Sequence, residues 1–158
     1  MTDTTLLRLY RRMQRWPAGQ WLFSRAVCFK APYFASIAPR ITVLQAGRCE
    51  GTIRHRRKVS NHIGTVHAIA MCNLAELVAG LMTDASLPPS MRWIPRGMEV
   101  AYLQKAMGTI RAVATPEAPL VQAAEGYALP VLVEASNAAG EAVFRARISM
   151  WVSPRPPR

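Results

Sequence analysis

One segment of the chain combines a carboxylate, a histidine and a side-chain amide with a long apolar run. Asn61, Gly64 and His67 precede the run, and Glu76 lies within it, nine residues after the histidine. A helix start offers unpaired backbone N–H groups and a partial positive charge, and both stabilise a developing oxyanion. A carboxylate in an apolar run is costly to bury unless it has a partner or a function. The segment therefore predicts an oxyanion site with an acid or base nearby. The alternative is a structural Glu that is hydrogen-bonded across a subunit interface.

The elements that must position these residues are one long helix and several strands. The apolar run predicts a helix over residues 65–82, closed by residues 84–86 and by Pro88 and Pro89. Alternating patterns predict strands over residues 41–44, 49–56, 98–103, 109–115, 129–135 and 141–151, with a hairpin loop over 137–140. One apolar helix with consecutive antiparallel strands predicts an α+β architecture, in which a curved sheet wraps around the helix.

The N-terminal segment has a helical pattern of its own. Leu6, Leu9, Tyr10 and Met13 fall on one side of residues 4–15 and arginines on the other, and a second helix is predicted over residues 21–29. A basic amphipathic helix can lie on a membrane, or it can pack its apolar stripe on its own domain. We favour packing, with at most a weak contact to a membrane surface, because only one short helix carries the signal.

The composition indicates a single globular domain. The chain has 158 residues, of which 51% are hydrophobic and 18% charged, enough for one real core. No apolar run reaches the length of a membrane span and no secretory signal is evident. The three cysteines are odd in number and widely spaced, which predicts reduced thiols in a cytoplasmic protein. His55, His62 and His67 have no ligands at suitable spacing, so no metal is predicted.

The net charge of +11 attracts anions. Nucleic acid, an anionic membrane and a phosphate-rich ligand such as coenzyme A all fit this charge, as does a soluble protein that is simply basic. No nucleic-acid partner is predicted, because no binding motif is present and few aromatic residues lie among the basic ones. The basic run over residues 54–58 is interpreted as a solvated strand end rather than as a contact with coenzyme phosphates.

The pattern Asn61-x-x-Gly64-x-x-His67, with an acid nine residues after the histidine, resembles the hotdog-fold thioesterases of the phenylacetate-pathway type. From about residue 5 to about residue 152, the chain is similar to an uncharacterised bacterial branch of that superfamily. The segments that share the resemblance outside the motif are residues 6–10, 29–34, 93–98 and 102–106. It implies a hotdog fold with five to six strands. The chain then divides into a basic helical extension (1–34), a hotdog domain (35–152) and a flexible tail (153–158).

The resemblance also implies the chemistry of the site. The substrate would be a small-molecule acyl thioester, with coenzyme A as part of the substrate and no separate cofactor. Glu76 would activate water as a general base or attack directly, acting on an acyl group held at the helix start of a partner subunit. Asn61 and His67 would complete the catalytic group, and Gly64, Ala68 and Asn73 would contact the substrate. Backbone N–H groups near His67 and Ala68 would polarise the carbonyl. The assembly would be an obligate homodimer or a dimer of dimers.

One position departs from the family pattern. Many relatives carry two glycines after the histidine, whereas this chain has Ala68 and Ile69. A β-branched side chain restricts the space in which a ligand can approach the backbone. This departure keeps a second interpretation open, namely a non-catalytic hotdog protein that binds acyl groups or lipids.

Overall fold

Six antiparallel strands form one open sheet in the computed structural model, which describes residues 3–156. The order across the sheet is β1-β2-β4-β5-β6-β3, so β1 and β3 are its edges. The strands are β1 (Arg40–Gln45), β2 (Arg48–Arg54), β3 (Met91–Tyr102), β4 (Thr109–Pro116), β5 (Tyr127–Ser136) and β6 (Ala142–Pro154). The helices are α1 (Thr5–Gln14), α2 (Gly19–Lys30) and α3 (Ala68–Ser86). This is the architecture that the sequence predicts.

The central helix α3 is held tightly by the sheet. It contacts all six strands, which requires the sheet to wrap around it. The sequence-based expectation that no apolar run reaches the length of a membrane span does not hold for α3, which is long and apolar enough by composition to cross a membrane, but most of it is buried inside the protein. Two glycines permit the close packing: a Cβ atom on Gly51 of β2 would lie 2.9 Å from Val78 Cγ1, and one on Gly80 would lie 2.9 Å from the Trp93 ring. Both distances are too short for a real contact, so larger residues at 51 and 80 require a neighbour to move.

The start of α3 lies three residues later than the sequence predicts. Thr65 and Val66 precede the helix, and His67 is its N-cap. Backbone bonds outside the helix hold this segment extended: Val66 N–H donates to the Ala106 carbonyl at 2.8 Å, and Ser60 pairs with Val66 in a short antiparallel bridge. Backbone groups that are already bonded in this way cannot begin a helix.

Strand β3 begins seven residues earlier than predicted, at Met91 instead of Met98. Pro95 and Gly97 made the earlier segment resemble a loop. The structure accommodates both residues because β3 is an edge strand, where the missing N–H of a proline costs no ladder bond. The register of β3 against β6 shifts between Pro95 and Gly97, so a bulge marks the position.

The N-terminal helices pack on the domain. Leu7 and Tyr10 of α1 are buried, and the Tyr10 hydroxyl donates to the Thr42 carbonyl of β1 at 2.8 Å. In α2 the Ser24 hydroxyl accepts from the Ile41 backbone N–H at 2.8 Å, in the same strand. Of the predicted apolar stripe, Tyr10 is buried and Leu6 and Met13 pack against the core, whereas Leu9 is 44% exposed, so packing on the domain holds for most of the stripe. Both helices contact β1 at the edge of the sheet.

The C-terminal residues differ from the predicted flexible tail. Strand β6 continues to Pro154, with Ser153 paired to Arg92 and Pro154 paired to Met91 of β3. The Arg155 backbone N–H donates to the Ser90 carbonyl at 2.8 Å. Pairing with the early part of β3 explains the difference, because that part of β3 was not predicted. Residues 157 and 158 of the tail lie outside the described residues.

Candidate active site at the start of the central helix

Asn61 organises the loop that leads into α3. Its Oδ1 atom accepts hydrogen bonds from the backbone N–H groups of Ile63 and Thr65, at 3.2 and 3.0 Å. Its Nδ2 atom donates to Thr65 Oγ1 at 2.8 Å. Gly64 has a φ of +77°, a left-handed conformation that glycine adopts without strain. The contacts of Asn61 therefore make it a loop-forming residue, with one Nδ2 hydrogen left for another partner.

The same loop occurs a second time, in the hairpin between β5 and β6. Asn137 Oδ1 accepts from the backbone N–H groups of Ala139 and Glu141, at 3.0 and 3.1 Å, and Nδ2 donates to Glu141 Oε2 at 2.7 Å. Gly140 has a φ of +84° and occupies the position that Gly64 has in the first loop. Residues 61–65 and 137–141 thus share one set of backbone and side-chain bonds. Turn formation alone accounts for an Asn followed three residues later by a Gly.

His67 caps α3 through its side chain. Its Nδ1 atom accepts from the Ile69 backbone N–H at 3.1 Å. Because Nδ1 accepts, the proton of the neutral ring lies on Nε2, and the exposed ring presents this Nε2–H as a donor. A histidine held in one tautomer at a helix start is well suited to donate to an oxyanion.

The backbone donors at the helix start differ from those expected. The His67 N–H donates to the Val59 carbonyl at 2.7 Å, so the prediction that it polarises a substrate carbonyl is not supported. The N–H groups of Ala70 and Met71 both bond to the His67 carbonyl, at 3.0 and 3.3 Å. The Ala68 N–H has no hydrogen-bond partner among residues 3–156. Of the two predicted donors, only Ala68 is free to bind an oxyanion.

Glu76 is exposed in the described chain, although its neighbours Ala75 and Leu77 are buried. The costly burial that the sequence suggested is therefore absent within one chain, and none of the ion pairs within residues 3–156 includes Glu76. Eight residues separate Ala68 from Glu76, a rise of about 12 Å along the helix. A Glu side chain cannot cover this distance, so Glu76 and the Ala68 N–H of one chain do not form a single site.

Asn73 precedes Glu76 by three residues on α3, but it is buried whereas Glu76 is exposed. It is 6% exposed, and its Nδ2 atom donates to Ser36 Oγ at 3.2 Å, in the 3-10 turn Pro32–Ile37. Its Oδ1 atom is buried and has no hydrogen-bond partner in the described part of the chain. This contact joins α3 to the turn, and the substrate contact expected of Asn73 stays a prediction. An unpaired buried acceptor costs free energy, which the hydrogen bond to Ser36 offsets in part.

A pair that the sequence did not indicate lies beside the helix start. The Cys72 thiol and the Tyr102 hydroxyl are 3.4 Å apart, and the hydrogen bond with Cys72 raises the pKa of Tyr102 to about 12. Ile69, Cys72 and Glu76 follow the helical period on one side of α3, where Ile69 and Glu76 are exposed and Cys72 is half-buried. The Cys72–Tyr102 contact joins this face to the edge strand β3. The 30-residue separation of the pair left no local signal in the sequence.

Two cavities lie away from the helix start. The larger has a volume of about 640 Å³ and lies between the N-terminal helices, the C-terminal end of α3 and the start of β3. Its apolar lining includes Leu6, Leu9, Phe23, Val27, Leu87 and Met91, and its cationic lining comprises Lys30, Arg92 and Arg155. The smaller, of about 300 Å³, lies between α2 and the β1–β2 hairpin. Within residues 3–156, no group of three His, Cys, Asp or Glu side chains is close enough to hold a metal ion.

Comparisons with solved structures identify the fold. The chain matches a structural-genomics target, APC5556, with 49% sequence identity and a TM-score of 0.80, covering 95% of this chain and 99% of that one. It also matches thioesterase HI1161 from Haemophilus influenzae (15% identity, TM-score 0.67, 77% of this chain and 82% of that one). A third match is PA5026 from Pseudomonas aeruginosa, described as a probable thioesterase, with 20% sequence identity and a TM-score of 0.70. It covers 89% of this chain and 97% of that one. The fold is the hotdog fold of these thioesterase-family proteins, which confirms the predicted fold and resemblance.

The family model that matches the chain gives the narrower assignment. Residues 19–152 match the domain of unknown function DUF4442, and the chain belongs to this family. The match begins at the first residue of α2, so α1 lies outside it. A comparison with curated proteins found no match.

Proposed function

We propose that the protein is an acyl-thioester hydrolase that acts on acyl-CoA-like substrates at a site shared by two subunits. The general thioesterase-like character rests on the hotdog fold that the chain shares with thioesterases at low sequence identity. In this proposal the Ala68 N–H and the His67 Nε2–H bind the thioester carbonyl. Glu76 of the partner chain acts as the base or the nucleophile.

The observation that carries the proposal is the donor pair at the start of α3. The Ala68 N–H has no partner among residues 3–156, and the exposed His67 ring presents its Nε2–H, so the helix start offers two candidate donors for a carbonyl oxygen. Their position at the N-terminus of a 19-residue helix adds the favourable potential of the helix dipole. Negative charge that develops on a thioester carbonyl is stabilised by such an arrangement.

The edge strand β3 supports the shared site. Strand β3 has 12 residues, and its outer edge is unpaired in the described chain. Ile94, Val100 and Tyr102 expose 59, 39 and 50% of their surface there. A long exposed apolar edge is a template for pairing with another strand. A second copy paired along β3 would cover this edge and bring a second α3 near the first. Because Glu76 cannot reach the Ala68 N–H within one chain, a partner is the natural source of the carboxylate.

Release of free thiol from a panel of acyl-CoA and acyl-carrier thioesters tests the proposal. We expect hydrolysis by the unmodified protein and a loss of at least 100-fold in kcat/KM for Glu76→Gln, which is the usual contribution of a general base. Glu125→Gln is the matched control, because Glu125 is an exposed carboxylate in a loop away from α3. Full activity of Glu76→Gln, or an equal loss in both variants, contradicts the role of Glu76.

Mixed dimers test whether the site is shared. Glu76→Gln and His67→Ala each inactivate both sites of a homodimer if the proposal holds. A dimer with one subunit of each type retains one complete site, so mixing the two inactive proteins under exchange conditions restores partial activity. Absence of recovered activity in verified mixed dimers contradicts the shared site.

The larger cavity favours a second candidate function, namely non-catalytic binding of an acyl group or lipid. Its volume of about 640 Å³ lies within the usual range for small-molecule sites. Leu9, Val27 and Leu87 contribute apolar surface to its lining, and Lys30, Arg92 and Arg155 outnumber its one acid, Asp84. Native mass spectrometry of the purified protein tests this function. A retained fatty acyl ligand without turnover supports binding, whereas thioester turnover without a retained ligand supports hydrolysis.

A further inference from the structure

The smaller cavity is lined by four arginines from three parts of the chain. Arg25 comes from α2, Arg40 from β1, and Arg54 and Arg56 from the end of β2 and the residues after it. We name this site of about 300 Å³ the arginine cavity. Trp21, one turn before Arg25 on α2, lies at its wall and is 52% exposed.

The sheet register forces two of these arginines together. Arg40 pairs directly with Thr52, and Arg54 is two residues further along the same strand. Thr52 and Arg54 point away from α3, because the intervening Ile53 and the preceding Gly51 face the core. Arg40 and Arg54 are therefore diagonal neighbours on one face, about 7 Å apart at the backbone. Like charges on neighbouring side chains repel each other, and an anion bound between them would offset this repulsion.

No carboxylate balances this charge in the described part of the chain. None of the ion pairs within residues 3–156 includes an arginine of the cavity. Glu50, the one acid in β2, is already occupied on both oxygens. Arg48 donates to Oε1 at 2.6 Å and Arg111 donates to Oε2 at 2.5 Å. The lining of the cavity contains no Asp or Glu.

We propose that the arginine cavity binds a phosphate or pyrophosphate group. Guanidinium groups present paired N–H donors that match phosphate oxygens, and several of them together neutralise a doubly charged group. The exposed Trp21 ring at the wall offers a stacking surface for a base or an acyl edge attached to that phosphate. The basic run over residues 54–58, which the sequence suggested was a solvated strand end, contributes two of the four arginines. The inference does not depend on the proposed thioesterase activity.

Isothermal titration of the full chain with inorganic pyrophosphate tests the site. We expect saturable binding at one site per chain, weakened at least tenfold in Arg40→Gln/Arg54→Gln. The matched control is Arg12→Gln/Arg15→Gln, which removes the same charge from exposed positions at the end of α1 and should change the affinity less than twofold. Arg25→Gln on the exposed face of α2 is a second test that leaves the sheet intact. An equal weakening in both double variants, or no saturable binding of any phosphate probe, overturns the proposal.

Further probes distinguish the sources of the phosphate. Adenosine 3′,5′-bisphosphate represents a soluble nucleotide, and vesicles of phosphatidylglycerol, compared with phosphatidylcholine, represent a lipid headgroup. Tighter binding of the nucleotide than of pyrophosphate, lost in Arg40→Gln/Arg54→Gln, assigns a nucleotide. Selective binding to the anionic vesicles, lost in the same variant, assigns a headgroup. Vesicle binding that survives in this variant excludes the cavity as the lipid site.

Discussion

Replacement of Asn61 by alanine separates a structural from a catalytic role for this residue. The change removes three hydrogen bonds, two accepted by Oδ1 and one donated by Nδ2. Ile63 is exposed, so its backbone N–H turns to water at little cost. Thr65 is only 6% exposed, and a buried N–H without a partner costs about 1–3 kcal/mol. With a smaller contribution from the Thr65 hydroxyl, we expect Asn61→Ala to lower the free energy of unfolding by about 2–3 kcal/mol.

The second loop supplies the comparison. Asn137→Ala removes the same three types of hydrogen bond. Ala139 and Glu141, which form these bonds with Asn137, are exposed, so water replaces the lost hydrogen-bond partner. We expect this variant to lower the free energy of unfolding by about 1 kcal/mol, the usual net value for exposed hydrogen bonds. The difference between the two variants measures the effect of burial on one loop geometry.

Urea unfolding at a fixed protein concentration is the assay, since dimerisation makes stability depend on concentration. A shift of the midpoint with an unchanged m value is required for the comparison. A loss of less than about 0.5 kcal/mol in Asn61→Ala, or equal losses in the two variants, refutes the reasoning.

The Asn61→Asp variant completes the test. A carboxylate keeps the Oδ1 acceptor, and its second oxygen accepts from the Thr65 hydroxyl, so we expect a stability close to that of the unmodified protein. If this stable variant hydrolyses thioesters at the wild-type rate, the role of Asn61 is only to stabilise the loop. A stable but inactive variant shows that the remaining Nδ2 hydrogen contacts the substrate or the attacking water.

Three further predictions concern the dimer edge, a buried acid and the thiol–phenol pair. Val100→Asp places a charge on the β3 edge and should convert the dimer to monomers, as measured by sedimentation at micromolar concentration. Val121→Asp, a similarly exposed position in a loop, is the control and should leave the dimer intact. A wild-type protein that sediments as a monomer contradicts the proposed assembly. Burial alone would raise the pKa of Glu50, but hydrogen bonds from Arg48 and Arg111 hold this pKa below its ordinary value. The ionised Glu50 therefore stabilises the fold at neutral pH, and this stabilisation is lost as the pH falls below about 4. The stability gap between the unmodified protein and Glu50→Gln should therefore narrow in acid, and a gap that is constant with pH contradicts this. Cys72→Ala should lower the pKa of Tyr102 from about 12 towards its ordinary value in an ultraviolet titration, and an unchanged titration shows that the thiol does not cause the shift.

The sequence predicted the fold well because periodicity is a local signal. The strands from Thr109 onward were placed within a few residues of their observed bounds, since each alternates between a buried and an exposed face. The early part of β3 was missed because Pro95 and Gly97 indicate a loop locally. Only its place at the sheet edge makes them acceptable in a strand. The position of a strand in the sheet is a property of the whole fold and leaves no local pattern.

The candidate site was predicted less completely. The types and order of His67, Ala68 and Glu76 were evident, because a helix start can be recognised from its flanking residues. Their hydrogen bonds were not evident from the sequence. The His67 N–H donates to the Val59 carbonyl, and the position of this carbonyl is set by the 3-10 turn Arg57–Val59. The exposure of Glu76 depends on which side of α3 the sheet leaves open. The catalytic and binding roles of the site residues stay predictions.

Two glycines, Gly51 of β2 and Gly80 within α3, couple positions that are distant in the sequence because each leaves space for one large side chain. Gly51 leaves room for Val78 on one side of the helix, and Gly80 leaves room for the Trp93 ring on another. A larger residue at 51 should become tolerable when residue 78 is made smaller, and the same exchange should apply to positions 80 and 93, because close-packed interiors conserve local volume. Neither exchange involves the site, yet both fix the rotation of α3 about its axis. The direction in which Glu76 projects is therefore subject to compensating substitutions far from any reacting atom, and related chains can drift in sequence at these pairs while keeping the carboxylate in place.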